Sequence, residues 1–171
     1  MNVRSLLFAA AALCAVALVK AQSAASTEEQ ERSITEEQVT ALVATTCAAV
    51  AKDAPGTIAR INEGAAPYKD AANPTLYVFI YDPDVVMVAH PRADLVGKSV
   101  KGKPDVKGKK FRDEIVERAL QGETGWVDYL YQKPGETGIH PKTTYFAKAE
   151  GSDGKIYVVC AGKYQRKDAA K

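Results

Sequence analysis

Histidine and cysteine are scarce in this chain: two histidines and three cysteines in 171 residues. There is no C-x-x-C, no C-x-x-C-H and no paired histidine spacing, so metal or haem attachment has no support. No complete G-x-x-x-x-G-K-S/T is present to cradle a phosphate: Gly97 to Lys103 has the spacing, but Pro104 stands where the Ser or Thr is needed. No nucleophile stands beside a histidine in a recognisable motif, and no pair of catalytic groups emerges, which argues against an enzyme. Charge of one sign is not in excess either. Lys+Arg number 23 against Asp+Glu 21, and Arg4 and Lys20 fall in the N-terminal segment, leaving 21 of each beyond it. A general nucleic-acid binder needs a basic field that this balance does not supply. Internal repeats and low-complexity blocks are absent, and no second long apolar run follows the first.

That first run is informative. Met1 to Arg4 carries one positive charge, Ser5 to Val19 is apolar and rich in Ala and Leu, and Val19-Lys20-Ala21 ends it. This is the plan of a secretory signal peptide over residues 1–21, with Ala25 the rival cleavage point and an uncleaved N-terminal anchor the alternative. The run is short for a membrane span, and Leu13 before Cys14 does not suit lipidation. The expectation is a periplasmic or secreted chain without membrane insertion. The remaining part, about 150 residues, suits one domain. Cys47 and Cys160 then remain, and an oxidising compartment permits a disulfide. Two buried thiols are the equal alternative.

Residues 22–32 are polar and expected to be disordered, residues 33–165 form the domain, and 166–171 are a polar tail. Ser33-Ile34-Thr35-Glu36 fits a capping box. Val39, Leu42, Val43, Cys47 and Val50 then trace one face of a long helix. Pro55-Gly56 breaks it, and a shorter helix runs from Thr57 to Glu63 with Gly64 as its stop. Leu76–Tyr81 and Val85–Ala89 read as a hairpin around Asp82-Pro83-Asp84. Phe111, Ile115, Val116 and Ala119 mark a helix closed by Gly122. Strands follow at 126–131, 143–149 and 156–164. This order predicts an α+β fold: a five-stranded antiparallel sheet with a long N-terminal helix and shorter helices on one side.

Strand alternation puts Tyr77, Phe79 and Tyr81 on one face of the first strand and Leu76, Val78 and Ile80 on the other, without saying which faces a pocket. His90, held extended before Pro91, is a candidate pocket donor or a packed core group. His140 falls in a turn and reads as solvated. Lys142 enters a strand rich in Thr and Tyr. It presents a compact positive charge to an anion, or else is an exposed edge lysine. Trp126, Tyr129 and Tyr145 either wall a pocket or simply favour strands. Six lysines, Lys98, Lys101, Lys103, Lys107, Lys109 and Lys110, crowd one irregular stretch against Asp105. They read as an anion funnel or as a solvated loop, and the lack of aromatics among them removes stacking platforms for single-stranded nucleic acid.

Seven segments in order carry a resemblance to a known family. They are Leu76–Asp82, Met87–Pro91, Leu95–Lys98, Phe111–Val116, Gly125–Tyr129, Pro141-Lys142 with Tyr145, and Ala161–Tyr164. Together they resemble the single Cache domain, type 2, a PAS-like extracellular sensor. The resemblance implies recognition of a small molecule, commonly a short carboxylate, with no cofactor. The implied partner is a membrane receptor or histidine kinase. The expected ligand-binding set is Tyr77, Phe79, His90, Trp126, Tyr129, Lys142 and Tyr145. The chain departs from the family in its Asp82-Pro83-Asp84 turn, in the lysine-rich loop, and in having no signalling domain after the sensor, so it reads as free-standing. The rival readings are an envelope interaction protein with a vestigial pocket and an enzyme on this scaffold.

Overall fold

The computed structural model describes residues 33–165. The expected leader at 1–21, the segment 22–32 and the tail at 166–171 lie outside them. Helix α1 spans Glu36–Lys52. Its cap is Thr35, two residues later than Ser33: Thr35 Oγ1 accepts from Gln38 N at 3.1 Å, and Gln38 Oε1 accepts from Thr35 N at 2.8 Å. The shift has a packing reason. With Thr35 as cap, Ile34 precedes it and Val39 is the fourth helical residue, and both are buried in one cluster as a hydrophobic staple. The buried stripe is Val39, Val43, Thr46 and Val50. Leu42 and Cys47 are only half-buried. Thr46 is tolerated inside because its hydroxyl donates to the Leu42 carbonyl at 2.7 Å.

Helix α2 spans Ala54–Asn62, earlier than the sequence suggests. Pro55 ends α1 yet is welcome in the first turn of α2, where its missing N–H is not needed. Asp53 caps this turn, accepting from Gly56 N at 3.0 Å. A Cβ at Gly56 would meet that carboxylate at 2.1 Å.

The sheet comprises β1 Val78–Tyr81, β2 Met87–Ala89, β3 Gly125–Gln132, β4 Ile139–Glu150 and β5 Ile156–Tyr164. All pairings are antiparallel, in the order β2-β1-β5-β4-β3. A short 3-10 turn, Ala93–Leu95, follows β2, and helix α3 spans Phe111–Leu120. Val85 lies outside β2. It takes φ 61°, a left-handed conformation that a β-branched residue rarely adopts. Asp82 holds it there, accepting through Oδ1 from Asp84 N and Val86 N at 2.9 Å each, so the Val85 side chain is buried in the core.

β4 begins four residues earlier than expected. Pairing continues to Gln132 opposite Ile139, which brings His140 and Pro141 into the strand. Pro141 has no N–H to give, but its carbonyl accepts from Gln165 N at 2.8 Å. Between β4 and β5, a Cβ on Gly162 would strike the Thr143 carbonyl at 2.3 Å, so only glycine permits that approach.

Both faces of the sheet are covered, so the expectation of helices on one side fails. Val78, Ile80, Val159 and Ala161 pack with the buried stripe of α1. Tyr77, Phe79, Tyr81, Phe146, Val158 and Cys160 pack with Phe111, Ile115, Val116 and Ala119 of α3. Apolar residues therefore alternate with apolar residues along β1 and β5, because each parity has its own core.

The same alternation separates the cysteines. Cys160 belongs to the α3 side, Cys47 packs on the α1 side, and both are free thiols. Burial pushes Cys47 up to about 11 and Cys160 well above the ordinary thiol range. Two outcomes are expected. Alkylation of the native chain at neutral pH should be slow at both positions, and unfolding without reductant should label both. A peptide linking Cys47 to Cys160 in a non-reducing digest would contradict this topology. Thr35→Ala should cost about 1 kcal/mol in chemical denaturation, the usual loss for a helix cap.

Candidate functional site

On the α3 side of the sheet, the odd-numbered residues of β1 and β3 meet the even-numbered residues of β4. Tyr77, Phe79, Tyr81, Met87, His90, Phe111, Tyr129, Tyr131 and Lys142 enclose a cavity of about 10 Å³, room for one water. The register sets this convergence: Lys142 lies opposite Tyr129 on one side and Tyr164 on the other.

Lys142 is 1% exposed. Its Nζ donates to the Tyr77 hydroxyl at 2.9 Å. It also lies 4.3 Å from the Tyr77 ring centroid, 5.0 Å from Tyr164, 5.3 Å from Phe79 and 5.7 Å from Tyr131. No carboxylate among the described residues reaches it as an ion-pair partner. Four ring faces and one hydroxyl offset part of the cost of removing an ammonium from water, each ring by roughly 0.5–2 kcal/mol. A full counter-charge would offset more.

His90 is positioned from both directions along the chain. Its N–H donates to Asn62 Oδ1 at 2.9 Å, which ties it to the end of α2. Its Nδ1 accepts from Arg92 N at 2.8 Å, which leaves the proton on Nε2. The ring meets Tyr77 edge-on with centroids 5.1 Å apart. Burial, then the charges of Lys142 and Arg92, push His90 down to about 3, with Asp94 acting weakly the other way. The imidazole is therefore neutral and offers Nε2–H as a donor.

Above this cavity opens a cleft of about 610 Å³ lined by Tyr77, His90, Arg92, Tyr131 and the β3–β4 turn from Gln132 to Thr137. Tyr77, His90 and Tyr131 line both spaces. In the turn, Lys133 pairs with Glu136, and Glu136 Oε2 lies 3.5 Å from His140 Nε2. His140 is thus a partly buried strand residue opposite Tyr131, not a solvated turn residue.

Five of the expected residues come together here: Tyr77, Phe79, His90, Tyr129 and Lys142. Trp126 and Tyr145 do not. They face each other across β3 and β4, centroids 5.3 Å apart, and pack on the α1 core behind the sheet. Tyr129 contributes its ring as a wall, stacked on Phe111 at 3.7 Å, while its hydroxyl is spent on Thr144 at 2.8 Å. Tyr81, Met87, Phe111, Tyr131, Arg92 and Tyr164 were not foreseen. Parity would have supplied Tyr131, two residues from Tyr129, and excluded Trp126, three residues away.

A buried lysine, a neutral imidazole donor and aromatic walls thus converge on one face of the sheet. The Cache domain family matches residues 68–166, and the chain belongs to it. Cache domains are sensor modules that bind small molecules in chemoreceptors. Among solved structures, the chain is similar to the periplasmic sensor domain of a chemotaxis protein, with 25% identity over 88% of this chain and 98% of that one, TM-score 0.57. It is also similar to a methyl-accepting chemotaxis protein from Vibrio parahaemolyticus RIMD 2210633, with 16% identity over 75% of this chain and 87% of that one, TM-score 0.59. A third is a Cache chemosensory domain described for carboxylic acid recognition, with 22% identity over 96% of this chain and all 100% of that one, TM-score 0.55. Among curated proteins, no sequence matches this chain significantly. No helix of the described residues is long and apolar enough to cross a membrane.

The His90 environment carries a pH dependence. Its folded value, about 3, lies below its ordinary 6.5. The unfolded chain therefore takes up a proton that the folded domain refuses. Stability from this group is complete above about pH 6.5 and is lost as pH falls toward 3. Between pH 7 and 5 the expected loss is about 2 kcal/mol. His90→Asn keeps an acceptor for Arg92 N and removes the titration. Urea unfolding of the two proteins at both pH values should show most of that loss in the parent only. An equal loss in both would place its origin elsewhere.

Proposed function

We propose that this domain captures a small organic anion, a short carboxylate being the class that fits best, and works as an extracytoplasmic sensor module. The carrying observation is the Lys142 ammonium, buried at 1% exposure without a carboxylate partner among the described residues. An anion supplies the missing charge. His90 Nε2–H and the Tyr77 hydroxyl, which accepts from Lys142 and retains its own proton to donate, provide fixed neutral donors beside it. The Phe79, Tyr129 and Phe111 rings leave space only for a small apolar body. One of the structures sharing this fold is described for carboxylic acid recognition, in keeping with this reading. Entry runs through the cleft, and the pocket must widen to admit the ligand, since the cavity holds about 10 Å³. We further propose that residues 1–21 are a cleaved leader, that the chain acts free-standing, and that a membrane receptor or histidine kinase reads its bound state.

One observation favours a second reading, an envelope interaction protein with a vestigial pocket. The cavity is nearly filled, and Lys142 already has a hydroxyl and four rings around it. A thermal-shift screen against short carboxylates, amino acids and amines separates the two. A ligand at a hundred times its dissociation constant should add about 2.7 kcal/mol.

Lys142→Met keeps most of the volume and removes the charge. Affinity for the selected anion should fall by roughly 2 kcal/mol or more, the scale of a lost charge-assisted hydrogen bond. Stability of the empty domain should hold or rise. Unchanged affinity together with lost stability would make Lys142 a structural residue and sink the proposal.

A further inference from the structure

The loop between the 3-10 turn and α3 carries the strongest local charge of the molecule. Residues 98–110 hold six lysines and one aspartate, a charge of +5 in a chain of net +2, so the rest of the chain is net −3. The structure explains how the loop keeps its shape despite this repulsion. Asp105 is turned inward: Oδ1 accepts from Lys107 N and Lys109 N at 2.9 Å each, and Oδ2 accepts from Leu130 N at 3.0 Å. Asp113 accepts from Gly102 N through both oxygens, at 3.0 and 2.9 Å, and Arg112 donates to the Lys103 carbonyl at 3.1 Å. Lys109 is also spent internally, on the Asp128 carbonyl at 2.8 Å and on Glu114 at 3.3 Å. The one acidic group thus serves the loop's interior. Lys98, Lys101, Lys103, Lys107 and Lys110 are exposed, with no ion-pair partner among the described residues.

At the centre of these lysines stands Val106, 68% exposed and the most exposed large apolar residue of the described chain. Pro104, two residues away, is exposed too. A rigid loop that shows aliphatic groups at its tip and lysines around them matches one surface in particular. We propose that it docks on an anionic phospholipid bilayer. The lysines contact headgroup phosphates, and Val106 and Pro104 enter the interfacial layer. A soluble polyanion satisfies the lysines but gains nothing from Val106, and single-stranded nucleic acid finds no aromatic ring in the loop to stack on. The net negative remainder turns the loop, rather than another face, toward the membrane. This surface is separate from the pocket, so its test does not depend on a ligand.

The chain as produced is sedimented with phosphatidylglycerol–phosphatidylethanolamine vesicles and, for comparison, with phosphatidylcholine vesicles. Binding should favour the anionic vesicles and weaken with added salt. Lys101→Gln, Lys103→Gln and Lys107→Gln together should lower that binding by roughly a hundredfold, and Val106→Asp alone by roughly tenfold. Both variants should keep the parent's thermal melting, since these side chains are exposed. Lys142→Met should bind vesicles like the parent. Absence of a preference for anionic vesicles, or undiminished binding in the triple variant, overturns the proposal. Sensitivity to the lysines with indifference to Val106→Asp, and full competition by dextran sulfate, overturns the bilayer as partner in favour of a soluble polyanion.

Discussion

Burial of the sheet on both faces is the constraint from which the site follows. A strand with one wet face can place polar groups at every second position. Here β1 has no such outlet: Val78 through Tyr81 are all buried. The two parities differ in chemistry instead. In β1 the aliphatic Val78 and Ile80 lie against α1. Tyrosine and phenylalanine lie on the α3 side, where α3 covers only part of the sheet and large rings fill the remainder. An aromatic face left half-covered by its helix is what makes a site possible at all.

Among the described residues, Lys142 is the lysine buried in that face. A methylene chain fits among rings, but an ammonium without a counter-charge is expensive there. The Tyr77 hydroxyl and the surrounding π faces reduce the cost without removing it. The same positive charge helps hold His90 neutral, so the two donors differ in kind, one ionic and one a fixed neutral N–H.

The segment from Gly97 to Lys110 has a structural role beyond its charge. Its beginning pairs with the outer side of β2, through Gly97 N to the Met87 carbonyl at 2.8 Å and Met87 N to the Lys98 carbonyl at 3.1 Å. Its end is fastened to β3 through Asp105 and Lys109. β2 and β3 are the two edges of the sheet. One loop therefore engages both edges, which would otherwise invite pairing with another chain. Anchoring at both ends is also why its lysines project from a defined surface.

Helices α1 and α3, the five strands and their antiparallel character were legible because hydrophobic period and turn chemistry are local properties. The pocket residues Tyr77, Phe79, His90, Tyr129 and Lys142 were reached through family resemblance and strand composition. Trp126 and Tyr145 were misplaced because an aromatic residue on a strand carries no label for its face, although parity relative to Tyr129 and Lys142 assigns it. Other features lay beyond any local signal. The cap at Thr35 depends on Ile34 meeting Val39, and the left-handed Val85 on a core waiting beneath it. The second helical layer depends on α3 crossing to the far side of the sheet. By itself the sequence determined which segments become helix and strand, since those choices follow from spacing along one chain. Only the tertiary structure decided which face of each strand would see Lys142, because that depends on register between strands far apart in sequence.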